Sequence, residues 1–441
     1  MARDLHASTI FALSTPKGRS ALAVVRVSGP SAGTAIAALC GRALPAPRHA
    51  TLTRLRDPAT GAPLDQALVI WFPGPASFTG EDMAEFHLHG GRAVLAGVLE
   101  ALAVLPGFST AEPGDFTRRA FYCGKLDLSQ AEGLADLIEA ETAAQRRQAL
   151  NQQGGALAAL VEGWRRDLIA VMALAEARID FPDEDLPTGL EQQIESAGAR
   201  LCGEIGAHLA RAVRGERIRD GYRVALLGEP NAGKSSLLNA IAARDVAIVT
   251  EEAGTTRDIL EVHLDLDGFA VTVADMAGIR EAEGAVERVG IAKARSWSQT
   301  ADLRIFLVPP GGVLTEDLEA LRQPGDLVCA SKVDLGGRAA EAELEISAHA
   351  GEGIAALLTR IASRAARDLD ADEPALVTRL RHRTALEECL RAIRAALEPE
   401  KLPELQAEDL RAAARALGRI TGRVDVEDVL DQLFGSFCIG K

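Results

Sequence analysis

The chain holds 441 residues, 47% hydrophobic and 25% charged, the balance of a globular protein with room for two to four domains at about 100–200 residues each. Lys and Arg number 48 against 63 Asp and Glu, a formal net charge of −15, which argues against a protein that coats nucleic acid indiscriminately and leaves a local basic patch or a partner to hold one. Six scattered cysteines without a CxxC pair, no apolar run of about 18 residues and no apolar signal core lead us to expect a cytoplasmic protein with no membrane span, disulfide framework or zinc site.

Residues 1–120 are rich in Gly, Pro and short apolar runs. Ala21–Val27 and Leu68–Phe72 read as buried strands, and Met83–His89 alternates like a half-buried one. Gly90 and Gly91 then turn into a helix over Ala93–Val104, so this part is an α+β domain. Residues 121–217 are helical, with Leu157, Leu160, Val161, Trp164, Leu168, Val171 and Leu174 at helical spacing. Asp180-Phe181-Pro182-Asp183 stops that helix, since proline cannot continue it, and Leu190–Arg214 forms another. Over 218–370, strands Tyr222–Leu227, Leu260–Leu266, Ala270–Ala274, Leu303–Val308 and Leu327–Ala330 alternate with helices, the pattern of a parallel α/β sheet. Residues 371–441 are helical again. The chain therefore reads as multidomain α/β and α+β, with one discontinuous helical domain into which the α/β unit is inserted.

Gly228-Glu229-Pro230-Asn231-Ala232-Gly233-Lys234-Ser235 fits GxxxxGK[ST] between strand Tyr222–Leu227 and a helix carrying Leu237, Leu238 and Ile241. That is the setting of a phosphate-binding P-loop, extending to Ser236: backbone N–H groups approach phosphate oxygens, Lys234 reaches the β- and γ-phosphates, and Ser235 ligates Mg²⁺. The base is read elsewhere. Ser331-Lys332-Val333-Asp334 follows a strand and resembles the NKxD guanine motif, with Ser331 in place of Asn; Asp334 can accept from guanine N1–H and its 2-amino group, a donor pair adenine lacks. Ser347-Ala348 resembles the SA motif that follows. Asp275-Met276-Ala277-Gly278 resembles the DxxG switch, and Gly254-Thr255-Thr256-Arg257-Asp258 supplies the earlier one, with Thr256 as a second Mg²⁺ hydroxyl. The P-loop, Gly254–Asp258, Asp275–Gly278 and Ser331–Asp334, four motifs in this chain order with Ser347-Ala348 after them, indicate a GTPase. The water-orienting Gln that often follows DxxG is replaced by Ile279. Glu287, twelve positions after Asp275, could act in its place, although taken alone it reads as one solvated charge beside Glu281 and Glu283.

Taken together, these motifs, Ser77-Phe78-Thr79-Gly80-Glu81-Asp82, Lys125-Leu126-Asp127-Leu128, Ile179-Asp180-Phe181-Pro182-Asp183-Glu184 and the terminal Cys438-Ile439-Gly440-Lys441 resemble the MnmE (TrmE) family of tRNA uridine-34 modification GTPases over essentially the whole chain. The resemblance implies a Ras-like GTPase domain and a homodimer formed through the N-terminal domain. It implies a heterotetramer with the FAD-containing MnmG, which adds an aminomethyl or carboxymethylaminomethyl group to C5 of the wobble uridine of certain tRNAs. It also implies a site for 5-formyltetrahydrofolate or another one-carbon tetrahydrofolate at Arg26, Glu85 and Lys125, with Lys441 nearby. For K⁺ it implies ligands Asn231, Thr250, Glu252 and Thr255, and it makes Glu287 the catalytic glutamate. Cys438 keeps two readings, a reactive thiol on a free tail or a cysteine that packs the terminus. Two further functions remain open: a regulatory switch GTPase without modification chemistry, and an ATP-using P-loop enzyme. The isolated His87, His89 and His382 read as packing residues.

Overall fold

The computed structural model describes residues 8–180, 189–244, 246–248, 261–276, 300–336, 342–370, 373–424, 427–437 and 439–440. Contacts divide the chain into two compact units, one of Met1–Ala135, Gln153–Arg165 and Ala414–Lys441, the other of Asp136–Gln152 and Arg166–Ala413.

The first unit is built on a six-stranded sheet of β1 (Thr9–Leu13), β2 (Ser20–Ser28), β3 (Thr51–Arg56), β4 (Pro63–Phe72), β5 (Met83–Gly90) and β6 (Phe108–Thr110), in the order β3-β4-β5-β2-β1-β6. Neighbours run antiparallel except β1 and β6. Side chains alternate across a strand, so Val25 and Val27 of β2 and Phe86 and Leu88 of β5 enter the core with Phe11, while Arg26 and Glu85 fall together on the other face. Helices α1 (Ala32–Cys40) and α2 (Arg92–Ala103) cover the core face, contributing Ile36, Leu39, Val98 and Leu102. Helix α3 (Asp115–Tyr122) carries Arg119, 1% exposed, whose guanidinium donates to Glu81 Oε2 at 2.9 Å and to the Ser8 carbonyl at 2.9 Å. Ser28 donates to the same Glu81 oxygen at 2.9 Å, so this carboxylate ties the loop after β4 to the sheet.

Helices α4 (Leu128–Glu139), α5 (Ala143–Gln153) and α6 (Ala156–Asp180) follow, and α6 ends where the proline-containing segment begins. Its predicted stripe is real: Leu157, Val161, Trp164, Leu168 and Val171 are all buried. The run predicted over Leu190–Arg214 is two helices, α7 (Leu190–Ala210) and α8 (Ala212–Asp220), broken at Arg211.

The second sheet holds β7 (Tyr222–Leu227), β8 (Glu261–Leu266), β9 (Phe269–Asp275), β10 (Leu303–Val308), β11 (Leu327–Ser331) and β12 (Leu344–Ile346), in the order β12-β11-β10-β7-β9-β8. All its pairings are parallel except β8 with β9. Both faces are covered, which is why β7, β10 and β11 read as continuous apolar runs. Helices α9 (Lys234–Ala242) and α11 (Ile354–Leu369) pack Leu237, Ile241, Leu357 and Ile361 on one face; short α10 (Glu316–Glu319) lies between β10 and β11 in sequence. Ala225, Phe306, Val308, Val328 and Met276 cluster on the other face. The loop after β7 lies where the strand order reverses, between β10 and β9, the usual ligand crevice of such sheets. Helices α12 (Leu380–Ala396), α13 (Pro403–Thr421) and α14 (Glu427–Ser436) complete the chain.

Within the second unit, α5 grips both connectors of this α/β lobe. Gln145, Gln148 and Gln152 share one helix face by their spacing. Gln145 Nε2 donates to the Arg219 carbonyl and Gln148 Nε2 to the Gly215 carbonyl, each at 3.0 Å, while Thr378 Oγ1 donates to Gln152 Oε1 at 2.6 Å. Asp136 Oδ1 accepts from Arg219 Nε at 2.9 Å and from Arg379 Nη2 at 2.6 Å. The connectors run so close that a Cβ on Gly215 would stand 2.1 Å from the Val377 carbonyl oxygen, which explains the glycine. At its N-terminus α5 also meets the β8–β9 turn, where Ala144 N–H donates to the Gly268 carbonyl at 3.0 Å.

Candidate functional site

The loop from Gly228 to Gly233 bends away from β7 and re-enters α9 through left-handed backbone at Asn231 (φ 64°) and Gly233 (φ 95°). Gly228 (φ 151°) passes so near β10 that a Cβ there would lie 2.6 Å from the Leu307 carbonyl oxygen. A side chain at that point would push the loop off the sheet and spoil its backbone cradle. Lys234 is 6% exposed and folds over the loop, its Nζ donating to the carbonyls of Gly228 at 2.6 Å and Glu229 at 2.9 Å. An ammonium has three donors, so one remains for a phosphate oxygen. Burial lowers the pKa of Lys234, and the neighbouring charge of Asp275 opposes that shift.

Ser235 Oγ donates to Asp275 Oδ2 at 2.5 Å, joining the first turn of α9 to the end of β9. A hydroxyl and a carboxylate brought together beside a phosphate cradle are the oxygen ligands that suit Mg²⁺, so the residues present fit that ion. Among the K⁺ and switch residues, Asn231 and Met276 are described; Thr250, Glu252, Thr255, Thr256, Ala277, Gly278 and Glu287 lie outside the described residues.

A cavity of about 210 Å³ opens beside the P-loop, lined among others by Gly233, Ser236, Ser331, Lys332, Asp334 and Ala348. Left-handed Lys332 (φ 55°) turns the chain at the end of β11, and Asp334 sits in the short 3₁₀ helix that follows. Ser347, fully buried, donates its hydroxyl to Asp334 Oδ1 at 2.6 Å and accepts the Ala350 N–H at 3.0 Å. That bond is the main reason the Asp334 carboxyl is held below the usual carboxylate range. The serine thus aims one carboxylate oxygen and keeps the group ionised. The Ser347-Ala348 dipeptide alone gives no sign of this side-chain contact, which reaches thirteen positions along the chain. Leu335 and His349 also line the cavity and carried no sequence signal beyond their place next to the two motifs.

Residues 128–438 match the family model described as the MnmE helical domain, and residues 9–125 match that of the GTP-binding protein TrmE N-terminus. The chain belongs to the MnmE (TrmE) family. A protein of Parvibaculum lavamentivorans named tRNA modification GTPase MnmE is 55% identical over 98% of this chain and 100% of its own length. Its namesake in Phenylobacterium zucineum is 51% identical over 98% of this chain and 99% of its own. Among solved structures, a point variant of Aquifex aeolicus Era bound to GDP·AlF4⁻ matches 41% of this chain and 69% of that one, at 23% identity and a TM-score of 0.27, too slight a likeness to argue from.

In the first unit the structure brings together two of the other residues expected from the resemblance. Arg26 and Glu85 are cross-strand partners on β2 and β5; Arg26 donates to Glu85 Oε1 through Nε at 3.1 Å and Nη2 at 3.0 Å. Glu85 Oε2 lies 3.2 Å from His87 Nε2. The Arg26 guanidinium also stands 5.4 Å from the ring centroid of Phe78 and 5.8 Å from that of Phe116. Lys125 Nζ donates to the Pro75 carbonyl at 3.2 Å, on the same loop as Phe78. So that loop carries contacts to both basic residues, and Arg26 is internally paired with the acid expected beside it.

The end of the chain comes to this sheet as well. Ile439 bridges Pro113, and Ser14 Oγ donates to the Gly440 carbonyl at 2.9 Å, two residues beyond Ala12, the β1 partner of Arg26. Cys438 and Lys441 lie outside the described residues. Their neighbours are anchored, with Phe437 7% exposed. His89 is no packing residue: its ring, 73% exposed, meets Asp65 Oδ1 at 2.7 Å through Nδ1. Among the described residues no three His, Cys, Asp or Glu side chains gather to hold a metal, and no helix is long and apolar enough to cross a membrane.

Proposed function

We propose that the chain is a cytoplasmic GTPase that modifies wobble uridine-34 of certain tRNAs, adding an aminomethyl or carboxymethylaminomethyl group at C5 with an FAD-containing partner of the MnmG type and a one-carbon tetrahydrofolate. The observation that carries the nucleotide part is Asp334, ionised and aimed by Ser347 into a cavity that opens on the P-loop. The tRNA part rests on relatives of more than 50% identity that bear the name tRNA modification GTPase.

In this reading Lys234 holds the β- and γ-phosphates with the donor left free by its two loop carbonyls, and the backbone of Gly228–Gly233 orients the phosphate chain. Ser235 and Asp275, with Thr256, hold Mg²⁺; Asn231, Thr250, Glu252 and Thr255 hold K⁺. When bound, the two cations supply positive charge to the phosphoryl group in the transition state. Glu287 orients the attacking water, since Ile279 cannot. Arg26, Glu85, Lys125 and Lys441 bind the folate, and Cys438 serves the modification step. The chain acts as a homodimer, and the GTPase cycle repositions the helical parts and the C-terminal residues.

The test is GTP turnover in KCl and in NaCl at matched ionic strength, with Asn231→Ala alongside, and wobble-nucleoside analysis of tRNA from a deletion strain carrying this chain. Stimulation by K⁺ that the variant loses, together with restored modification, supports the reading. Equal rates in both salts remove the K⁺ mechanism, and unmodified tRNA in the complemented strain removes the substrate.

A further inference from the structure

At the edge of the second sheet away from the P-loop lies a cleft of about 660 Å³, bordered by Leu303 and Leu327, the first residues of β10 and β11. β10 runs parallel to β7, whose C-terminal end leads into the P-loop, so this cleft and the nucleotide cavity lie at opposite ends of the same strands. Four arginines line it: Arg322 from the chain after α10, and Arg360, Arg364 and Arg367 from α11. Their i, i+4, i+7 spacing sets the last three on one helix face, over a rise of about 10 Å.

Arg364 is fixed in place. Asp368 accepts from its Nε at 3.0 Å and from the Tyr222 hydroxyl at 2.8 Å, and the guanidinium lies over Gly325, where a Cβ would collide with it. Two of the carboxylates in the lining are already engaged. Glu319 pairs with Arg322 at 3.4 Å, and buried Asp326 accepts from the backbone N–H groups of Arg304 at 2.9 Å and Gln323 at 2.7 Å. Among the described residues the exposed guanidiniums of Arg360 and Arg367 have no hydrogen bond or ion pair, and one unpaired lining acid, Glu343, stands against them. On a chain of net charge −15, this is a concave surface with positive charge to spare.

We propose that the cleft holds the phosphodiester backbone of the tRNA, with Arg360, Arg364 and Arg367 donating to phosphate oxygens. The inference rests on the tRNA reading of the chain. Guanidinium forks match pairs of phosphate oxygens and are weakly hydrated, which suits them to this ligand. Donors spread over two helical turns of a cleft this large suit successive phosphates of a strand rather than one small ion. An acidic chain repels RNA over most of its surface, so contact is confined to places where positive charge is in excess. Such contacts position the tRNA and read no sequence, so the choice among tRNAs is made elsewhere.

Fluorescence anisotropy of a labelled tRNA transcript with the full chain, over a series of salt concentrations, tests this. Arg360→Gln combined with Arg367→Gln should weaken binding about tenfold at low salt and make the dependence of log affinity on log salt shallower by about 1.5, the share of two phosphate contacts. Arg360→Lys with Arg367→Lys keeps the charge and should keep the slope. Arg54→Gln with Arg391→Gln removes the same charge from exposed sites elsewhere and should change neither quantity. GTP turnover should stay native in all three. The inference is overturned, and the proposed function left standing, by any of three results: native affinity and slope in the Gln pair at 360 and 367, an equal loss in the Gln pair at 54 and 391, or a native chain that restores wobble modification in the deletion strain yet binds no tRNA. If the Gln pair at 360 and 367 binds tRNA as the native chain does but fails to restore modification, the arginines serve an acidic protein partner and the inference falls too. If the native chain restores no modification, the tRNA reading falls and takes this inference with it.

Discussion

Replacing Asp136 by Asn tests the claim that one carboxylate fastens the α/β lobe to its helical neighbours in the second unit. Asp136 Oδ1 accepts two charge-assisted bonds, at 2.9 Å from Arg219 and 2.6 Å from Arg379, and its side chain is 11% exposed against 28% and 18% for the arginines. Hydrogen bonds to charged groups contribute about 1.5–3 kcal/mol each, and partial exposure of the arginines places this pair near the lower end, about 3 kcal/mol in all. At roughly 2–4 °C per kcal/mol for a unit of this order of size, the variant should unfold about 6–12 °C below the native chain. Calorimetry gives the shift. Hydrogen exchange locates it, with faster exchange expected over residues 212–220 and 373–379 before the sheet core responds. Arg379→Gln and the double variant close a cycle in which the two losses should be less than additive. A melting temperature within about 1 °C of native, or fully additive losses, would refute the clamp.

Three other expectations follow from the same geometry. Arg119→Ala leaves Glu81 buried against Ser28 without its cation, and breaking such a pair costs about 3–5 kcal/mol; urea unfolding followed in the N-terminal unit should show it, with Arg119→Lys intermediate. Ser347→Ala should raise the Asp334 pKa towards the ordinary range: a carboxyl depressed in the folded protein stays ionised until pH falls through that lower value, so native GDP binding should persist to more acid pH than binding by the variant, measured by fluorescence titration at each pH. Burial pushes the Cys329 and Cys389 thiols up to about 12, so neither should react with a thiol reagent at mildly alkaline pH until the chain is denatured, whereas exposed Cys123 should be modified in the native protein, as peptide mass spectrometry will report.

Legibility from sequence followed the range of the interactions. β7 and β10 were placed to the residue because both faces of those strands are buried and the apolar runs are continuous. The P-loop was legible because its chemistry lies in eight consecutive residues. β6 and β12, three residues each, carry no period long enough to read, and Thr51–Arg56 looks polar because β3 is an edge strand with alternate residues in solvent. The pairing of Arg26 with Glu85 depends on the register of two strands 59 positions apart, and Asp136 meets Arg379 across 243 positions. Neither leaves a trace in local composition. Nor does sequence show that the serine replacing Asn has a hydroxyl with no partner among the described residues.

The crossing of Gly215 with Val377 has a consequence for how this lobe can be handled. Both threads that join it to the helices pass through one point, so removal of residues 216–376 leaves ends that already touch, and a linker of a few residues closes them. The excised piece likewise has its two ends side by side and can be re-cut elsewhere into a permuted chain without spanning a gap. The nucleotide machinery is mounted like a cartridge on a single fitting, which allows it to be exchanged between relatives by recombination at two adjacent positions.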